Sequence, residues 1–308
     1  MVLGIYNPVM HVGVVLPQVG AEWKDILEAA RHAEEVGADS VWVIDHLLGF
    51  PTEKGIFEAW TVLSALATAT ERVQLGAQVF CQSFRNPALF AKMAATLDQI
   101  SGGRFRLLIG AGWYEPEYQA FGFEFPEPSV RVGELTDTIR ILKGMLSSGD
   151  AFTYEGKHYK VQEVMNIPTP VQSPFPIEVG AARDRMLRLV AREADGWNCP
   201  GAILPVLDDR LGTLQRACES AGRSISELRL SIQIPCAVGD DKAKTHPRLA
   251  GFNPDAGLIG SVDQAADRAG ELMSKGLTDF LTIVPPGSSG RACLERLVTE
   301  VRPRLTTP

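Results

Sequence analysis

Short apolar runs alternate along the chain with segments in which apolar residues recur at helical spacing. The first run, residues 11–16, stops at Pro17, and a helix-patterned segment follows it and ends at Gly37. Runs that are apolar at successive positions predict strands buried on both faces. The alternation repeats to the end of the chain. Predicted strands cover residues 11–16, 40–44, 73–80, 105–109, 177–179, 196–198, 228–238 and 279–284.

Signals for helix ends fit this alternation. Asn86 and Pro87 are typical of an N-cap followed by proline in the first turn, and Gly102 is typical of the end of that helix. Ser261 and Gln264 have the spacing of a capping box. These signals place helices between the predicted strands.

Eight strand and helix units are the number that closes a barrel. The sequence therefore predicts the α/β class and a single (β/α)8 TIM barrel, with residues 1–308 as one domain. An open doubly wound sheet is the alternative. Residues 150–176 interrupt the rhythm with a predicted hairpin and a proline-rich linker, which we interpret as an insertion after the fourth unit.

Composition and charge restrict the classes of partner that the protein is expected to bind. The formal net charge of −7 disfavours nucleic acid, and no basic run offsets it. No apolar stretch is long enough to span a membrane, and the N-terminus lacks the pattern of a secretory leader. The five cysteines are far apart and show no C-x-x-C spacing, so we expect reduced thiols in a cytoplasmic protein.

Reactive side chains in such a barrel belong at the carboxyl ends of strands. No lysine falls there, which argues against Schiff-base chemistry, and among the histidines only His46 does, which argues against a metal site. Gly110 and Gly112 begin a dinucleotide-like pattern, but Glu115 occupies the position of its third glycine. We therefore expect no metal and no Rossmann-type site.

Two segments resemble a known family. Residues 83–87 (Ser-Phe-Arg-Asn-Pro), with the stretch 91–104 that ends in Ser-Gly-Gly-Arg, resemble the signature of the bacterial-luciferase-like oxidoreductases. Residues 110–118, which begin Gly-Ala-Gly-Trp, resemble the branch that uses the deazaflavin coenzyme F420. The resemblance covers essentially the whole chain. Residues 150–176 and 239–260 match less closely and are candidates for substrate selection.

The resemblance implies a cofactor ring beside His46. His46 would orient the ring or exchange a proton with substrate, and Asp45 would fix the tautomer of the His46 imidazole. Without the family, His46 is more readily interpreted as a polar residue that is satisfied at a strand end. For Gln78 and Val79 the family pattern implies a bulge with a non-prolyl cis peptide that supports the ring, next to Ala77; the alternative is an ordinary strand.

Further residues have implied roles at the same end of the barrel. Gly180, Ala181 and Ala182 lie between a strand and a helix, where amide groups and the helix dipole suit a cofactor phosphate, although a tight turn explains them as well. Trp113 follows glycines that let a ring approach the backbone. Glu115 is a candidate catalytic carboxylate or, alternatively, a charge that complements a helix dipole. The predicted cofactor-binding residues are Asp45, Ala77, Gln78, Val79, Gly110, Gly112, Trp113, Gly180, Ala181 and Ala182; the predicted catalytic residues are His46 and Glu115.

The resulting hypothesis is an oxidoreductase in which F420 exchanges hydride with a small organic substrate that the sequence does not identify. One alternative is an FMN-dependent monooxygenase that takes reduced flavin from a separate reductase. A second alternative is a non-catalytic flavin-binding barrel. The resemblance also implies a homodimer packed through the helices near the second and third strands.

Overall fold

Eight parallel strands form a closed ring in the computed structural model, which describes residues 9–49, 53–239, 249 and 257–305. The first strand of the ring pairs with both the second and the last, so the ring is closed. This confirms the predicted TIM barrel and excludes the open sheet. The ring consists, in order, of β1 (His11–Val15), β2 (Ser40–Val43), β3 (Gln74–Ala77), β5 (Phe105–Gly110), β8 (Ile177–Gly180), β9 (Gly196–Cys199), β10 (Arg229–Val238) and β12 (Asp279–Ile283). Outside the ring lie β4 (Phe80–Cys81), β6 (Phe152–Glu155), β7 (Lys160–Val164) and β11 (Leu258–Gly260).

Helices cover the outside of the barrel, and the predicted caps begin and end them. Asn86 accepts hydrogen bonds from the first-turn amides of α3, and Gly102 ends that helix in the left-handed conformation. Ser261 and Gln264 form the predicted capping box. The helices are α1 (Trp23–Glu35), α2 (Ala59–Ala69), α3 (Pro87–Ser101), α4 (Glu115–Phe121), α5 (Pro128–Ser147), α6 (Asp184–Glu193), α7 (Leu207–Ser220), α8 (Val262–Ser274) and α9 (Gly287–Arg296), followed by a π-helical turn at Leu297–Val301 and a last turn at Arg302–Leu305.

Trp42 fills the space between neighbouring strands inside the barrel. Its indole lies so close to Gly13 and Gly76 that a Cβ atom at either glycine would stand 2.7 and 2.4 Å from it. The guanidinium of Arg106 stacks 4.8 Å from the ring centroid. Glycine is therefore required on both flanking strands because the indole takes the volume of their side chains.

A buried ion cluster crosses the barrel beneath Trp42. Arg106 donates to Glu178 at 2.6 Å and to Asp279 at 2.9 Å, and all three side chains are buried. Asp279 also accepts from Arg229. Burial favours the neutral acid, but Arg106 and Arg229 outweigh it and hold the pKa of Asp279 below its ordinary value. The cluster joins strands on opposite sides of the ring.

The predicted insertion is a two-stranded antiparallel hairpin, β6 and β7, fixed to α5. Asp137 of α5 accepts hydrogen bonds from the Tyr154 hydroxyl at 2.8 Å and from the His158 amide at 2.7 Å. The hairpin is therefore anchored by a buried carboxylate as well as by apolar contacts. The other segment expected to select substrate, residues 239–260, lies largely outside the described residues.

An open cavity of about 1120 Å³ lies at the amino-terminal ends of the strands. Its charged groups serve structural contacts: Asp39 pairs with Arg302, and Arg229 pairs with Asp279. The site chemistry predicted from the sequence belongs to the other end of the barrel. In the ranges that the structure describes, no helix is both long enough and apolar enough to cross a membrane.

Candidate active site

His46 and Glu117 form a pair at the carboxyl-terminal mouth of the barrel. His46 follows the end of β2, and Glu117 lies in the first turn of α4, which follows β5. The distance from His46 Nδ1 to Glu117 Oε1 is 2.9 Å, and the Glu117 side chain is 3% exposed. The other carboxylate oxygen accepts the backbone amide of Leu47 at 2.9 Å. Because a carboxylate only accepts hydrogen bonds, this contact places the proton of the neutral imidazole on Nδ1.

Asp45 does not orient His46, so that expectation is wrong. Its carboxylate accepts both terminal nitrogens of Arg85, at 2.6 and 2.7 Å, and the amide of Cys81 at 2.8 Å. Arg85 also pairs with Glu58 at 2.9 Å. Asp45 is thus held by the ion pair that anchors the loop before α3. Whether Asp45 contacts a cofactor stays a prediction.

The peptide bond between Gln78 and Val79 is cis, as the resemblance implies, and it separates β3 from β4. The sequence predicts one continuous strand over residues 73–80, whereas the structure has two short ones. Ala77, the last residue of β3, is fully buried. The side-chain oxygen of Gln78 is buried and has no hydrogen-bond partner among the described residues.

Gly110 and Gly180 make room for Val79. A Cβ atom at Gly110 would stand 2.6 Å from one Val79 methyl, and a Cβ at Gly180 would stand 2.8 Å from the other. The space next to these glycines is therefore taken by a protein side chain. Whether a cofactor ring also approaches the backbone at Gly110 stays a prediction.

Gly112 is required for a similar reason. Its φ of +74° is in the left-handed region, and a Cβ atom there would stand 1.8 Å from the hydroxyl of Tyr118. That hydroxyl lies 2.9 Å from Cys81 Sγ. Burial raises the pKa of the Cys81 thiol to about 11, and burial raises that of Tyr118 as well, so both groups are protonated at neutral pH. A thiolate nucleophile is therefore excluded here.

The turn after β8 is partly as predicted. The amide of Ala181 donates to the carbonyl of Asn198 at 3.2 Å, so it is already used. Gly180 ends the strand, Ala182 follows, and α6 begins at Asp184 with no side chain capping its amides. The donors left for an anion are therefore the first-turn amides of α6 rather than that of Ala181.

Trp113 and Glu115 lie at the rim. The Trp113 side chain is 68% exposed, and its ring centroid is 5.7 Å from His46 and 5.3 Å from Tyr114. Glu115 is the first residue of α4; it is exposed and accepts a hydrogen bond from Gln119 at 3.1 Å. Its place in the first turn fits the dipole alternative. Its catalytic role stays a prediction.

Glu117 is the site residue that the sequence analysis missed. The sequence contains one signal for it. Glu117 follows Glu115 by two residues, and on a helix this spacing points the two carboxylates to different sides. Tyr118, the next residue, is buried, and this indicates which side faces the barrel. The segment therefore presents one carboxylate to His46 and one to solvent.

Comparison with known proteins identifies the family. The family described as "luciferase-like monooxygenase" matches residues 9–279, so the chain belongs to that family, and the predicted resemblance is confirmed. An F420-dependent glucose-6-phosphate dehydrogenase of Amycolatopsis mediterranei is 31% identical over 226 residues, which cover 72% of this chain and 67% of the relative. The chain spans about two thirds of the length of the curated relatives that it matches.

Solved structures share the fold. An F420-dependent secondary alcohol dehydrogenase, in complex with an F420–acetone adduct, superposes with a TM-score of 0.83 at 20% identity, covering 97% of this chain and 100% of that one. The oxygenating constituent of a Baeyer–Villiger monooxygenase from Pseudomonas putida, in complex with FMN, has a TM-score of 0.77 at 19% identity with the same coverage. The two cofactors predicted from the sequence, F420 and FMN, are thus represented in these two complexes.

Proposed function

We propose that the chain, as one domain over residues 1–308, is an F420-dependent oxidoreductase that exchanges hydride with a small organic substrate at the mouth of the barrel. The contact between His46 and Glu117 is the observation that carries this proposal. With Nδ1 donating to Glu117, Nε2 is the imidazole atom that accepts a proton from a substrate hydroxyl or returns it. The deazaflavin, when bound, supplies the hydride chemistry that no side chain provides. The F420-dependent relatives support this choice.

The mouth fits such a cofactor. The orphaned oxygen of Gln78 needs a donor, because a buried polar atom without a partner costs free energy. Val79 provides an apolar platform seated over Gly110 and Gly180, and the α6 amides suit a phosphate. We propose that Gln78, Val79, Trp113 and the turn at Gly180, Ala181 and Ala182 contact the cofactor. We propose that Asp45, Ala77, Gly110 and Gly112 shape the same pocket.

The test is cofactor binding by the purified apoprotein. Titration with F420 should quench protein or cofactor fluorescence at micromolar concentration, and FMN should bind more weakly. Val79→Phe fills the platform and should weaken F420 binding by about tenfold or more, which corresponds to about 1.4 kcal/mol. Val171→Phe, at an exposed position, is the matched control and should bind normally. Tight FMN binding without any response to F420 would overturn the choice of cofactor.

The FMN-bound neighbour supports a second candidate, a monooxygenase that takes reduced flavin from a separate reductase. Dioxygen consumption with reduced FMN distinguishes it from the first. A non-catalytic binding barrel is distinguished by single-turnover oxidation of bound reduced cofactor across a substrate panel, where silence favours the binding protein.

We also propose a homodimer in the cytoplasm. On α3, Leu89 and Ile100 are 54% and 49% exposed, and they lie three helical turns apart on the same side. Ile167 is also exposed, and its carbonyl accepts Lys92 of the same helix, so the linker continues the apolar patch. Several exposed apolar side chains on one side of a protein are typical of interfaces. The five cysteines are buried and free, which is typical of a reducing compartment.

A further inference from the structure

Exposed arginines follow one another along α6 and its N-cap: Arg183, Arg185, Arg188 and Arg192. We refer to them as the α6 arginine row. Within the described ranges, the side chains of Arg183, Arg188 and Arg192 make no hydrogen bond or ion pair, while the Arg185 side chain donates to the carbonyl of Ser129 at 3.2 Å. Most arginines elsewhere in these ranges are paired with acids or carbonyls. An uncompensated row of guanidinium groups therefore stands out on this helix.

Acidic residues on the same helix do not neutralise the row. Asp184 accepts Arg210 at 2.6 Å, and Glu193 accepts Arg140 at 2.7 Å, so both carboxylates are occupied by other helices. Three members of the row are spaced by three and four residues, which places them on one face along about 10 Å. The buried Leu187 and Val190 occupy the opposite side. The row is thus a continuous cationic strip.

The strip starts where the proposed phosphate site is. Because α6 follows β8, its amino end lies at the mouth of the barrel and its axis runs back along the outer wall. An anion held by the first-turn amides of α6 therefore lies beside Arg183, and Arg188 and Arg192 lead away from it. A ligand that continues beyond its phosphate as a chain of negative charges would follow this strip.

We infer that the α6 arginine row binds the oligoglutamate tail of F420. FMN ends in its phosphate, whereas F420 continues through a lactyl group into glutamyl units that each add a carboxylate. Guanidinium groups are suited to carboxylates because their paired N–H donors match the two oxygens. On a chain with a net charge of −7, a polyanionic tail needs such a local strip. This inference rests on the proposed function and specifies which part of the cofactor the protein distinguishes.

The test compares two forms of the cofactor in fluorescence titrations. The wild type should bind F420 with a long glutamate tail about tenfold more tightly than the glutamate-free form, since each exposed pair contributes a factor of about two to five. Raised salt should reduce this difference, because exposed pairs are screened. Arg188→Gln with Arg192→Gln should reduce the difference to about twofold or less and leave the affinity for the glutamate-free form unchanged.

Arg31→Gln is the matched control, because Arg31 is exposed on α1 and has no partner in the described ranges. It should keep the full preference for the tail. Equal binding of both forms by the wild type, or a preference that survives in the double variant, overturns the inference while leaving F420 dependence intact. Failure of both forms to bind overturns the proposed function and the inference together.

Discussion

The carboxylate of Glu117 serves two donors, the His46 ring and the Leu47 amide, and its replacement tests what it does for the ring. In Glu117→Gln only one side-chain oxygen remains, so one of the two buried donors loses its acceptor. We expect the free energy of unfolding to fall by about 1–3 kcal/mol. In ¹⁵N NMR spectra of the neutral imidazole, His46 should change from the Nδ1-protonated tautomer toward a mixture.

Glu115→Gln is the control for this prediction, because Glu115 lies two residues earlier on α4 and is exposed. Its free energy of unfolding should stay within about 0.5 kcal/mol of the wild type, and the His46 tautomer should not change. An Nε2-protonated ring in the wild type, or an unchanged ring in Glu117→Gln, would show that Glu117 does not orient His46.

Residue types at the site were easier to predict than their partners. His46 stands out because it is the histidine at a strand end, but nothing local shows that its partner comes from α4 rather than from Asp45. That choice is made by Arg85, which lies 40 residues from Asp45 and takes both oxygens of its carboxylate. In the same way, Gly110 and Gly180 suggest close approach by a ligand, and only tertiary packing shows that Val79 fills the space. Local sequence carries no information about such long-range pairings.

At the scale of the elements, the ion cluster inside the barrel predicts a stability effect whose sign depends on pH. Removing Arg106 leaves the carboxylates of Glu178 and Asp279 buried with too few partners. We expect Arg106→Met to lose about 3–5 kcal/mol near neutral pH in urea unfolding. The control is Arg140→Met, whose pair with Glu193 is half exposed and should contribute at most about 1 kcal/mol.

The pH dependence of stability distinguishes an electrostatic origin of the loss in Arg106→Met from a simple packing defect. In the wild type the folded protein lowers the pKa of Asp279. The stability that the ionised carboxylate contributes is therefore present above the pKa of Asp279 in the unfolded chain, and it is lost as the pH falls through the pKa in the folded protein. In Arg106→Met, protonation relieves an uncompensated buried charge instead. The stability gap between the two proteins should therefore narrow on going from about pH 7 to about pH 5. A constant gap would contradict an electrostatic origin.

Element positions were largely predictable because their signals are local. Apolar runs, the Asn86 cap and the capping box at Ser261 each act over a few residues, and the structure has the helices and strands that they indicate. The exception is the strand predicted over residues 73–80, which the structure divides at Gln78 and Val79. Branched and small residues favour a continuous strand there, and only the family resemblance indicated the interruption.

At the scale of the whole molecule, the exposed patch on α3 predicts the quaternary state. Light scattering coupled to size exclusion should give the mass of a dimer for the wild type.

Burial of an apolar side chain of this size contributes about 1.5–3 kcal/mol, so placing charges at two such positions should weaken association by about a hundredfold or more. We therefore expect Leu89→Asp with Ile100→Asp to elute as a monomer that still binds F420, since both side chains are exposed on α3 and neither is among the proposed cofactor contacts. Val206→Asp, at an apolar position of similar exposure away from α3, is the control and should remain dimeric. A monomeric wild type, or a double variant that stays dimeric, would contradict an interface on this face.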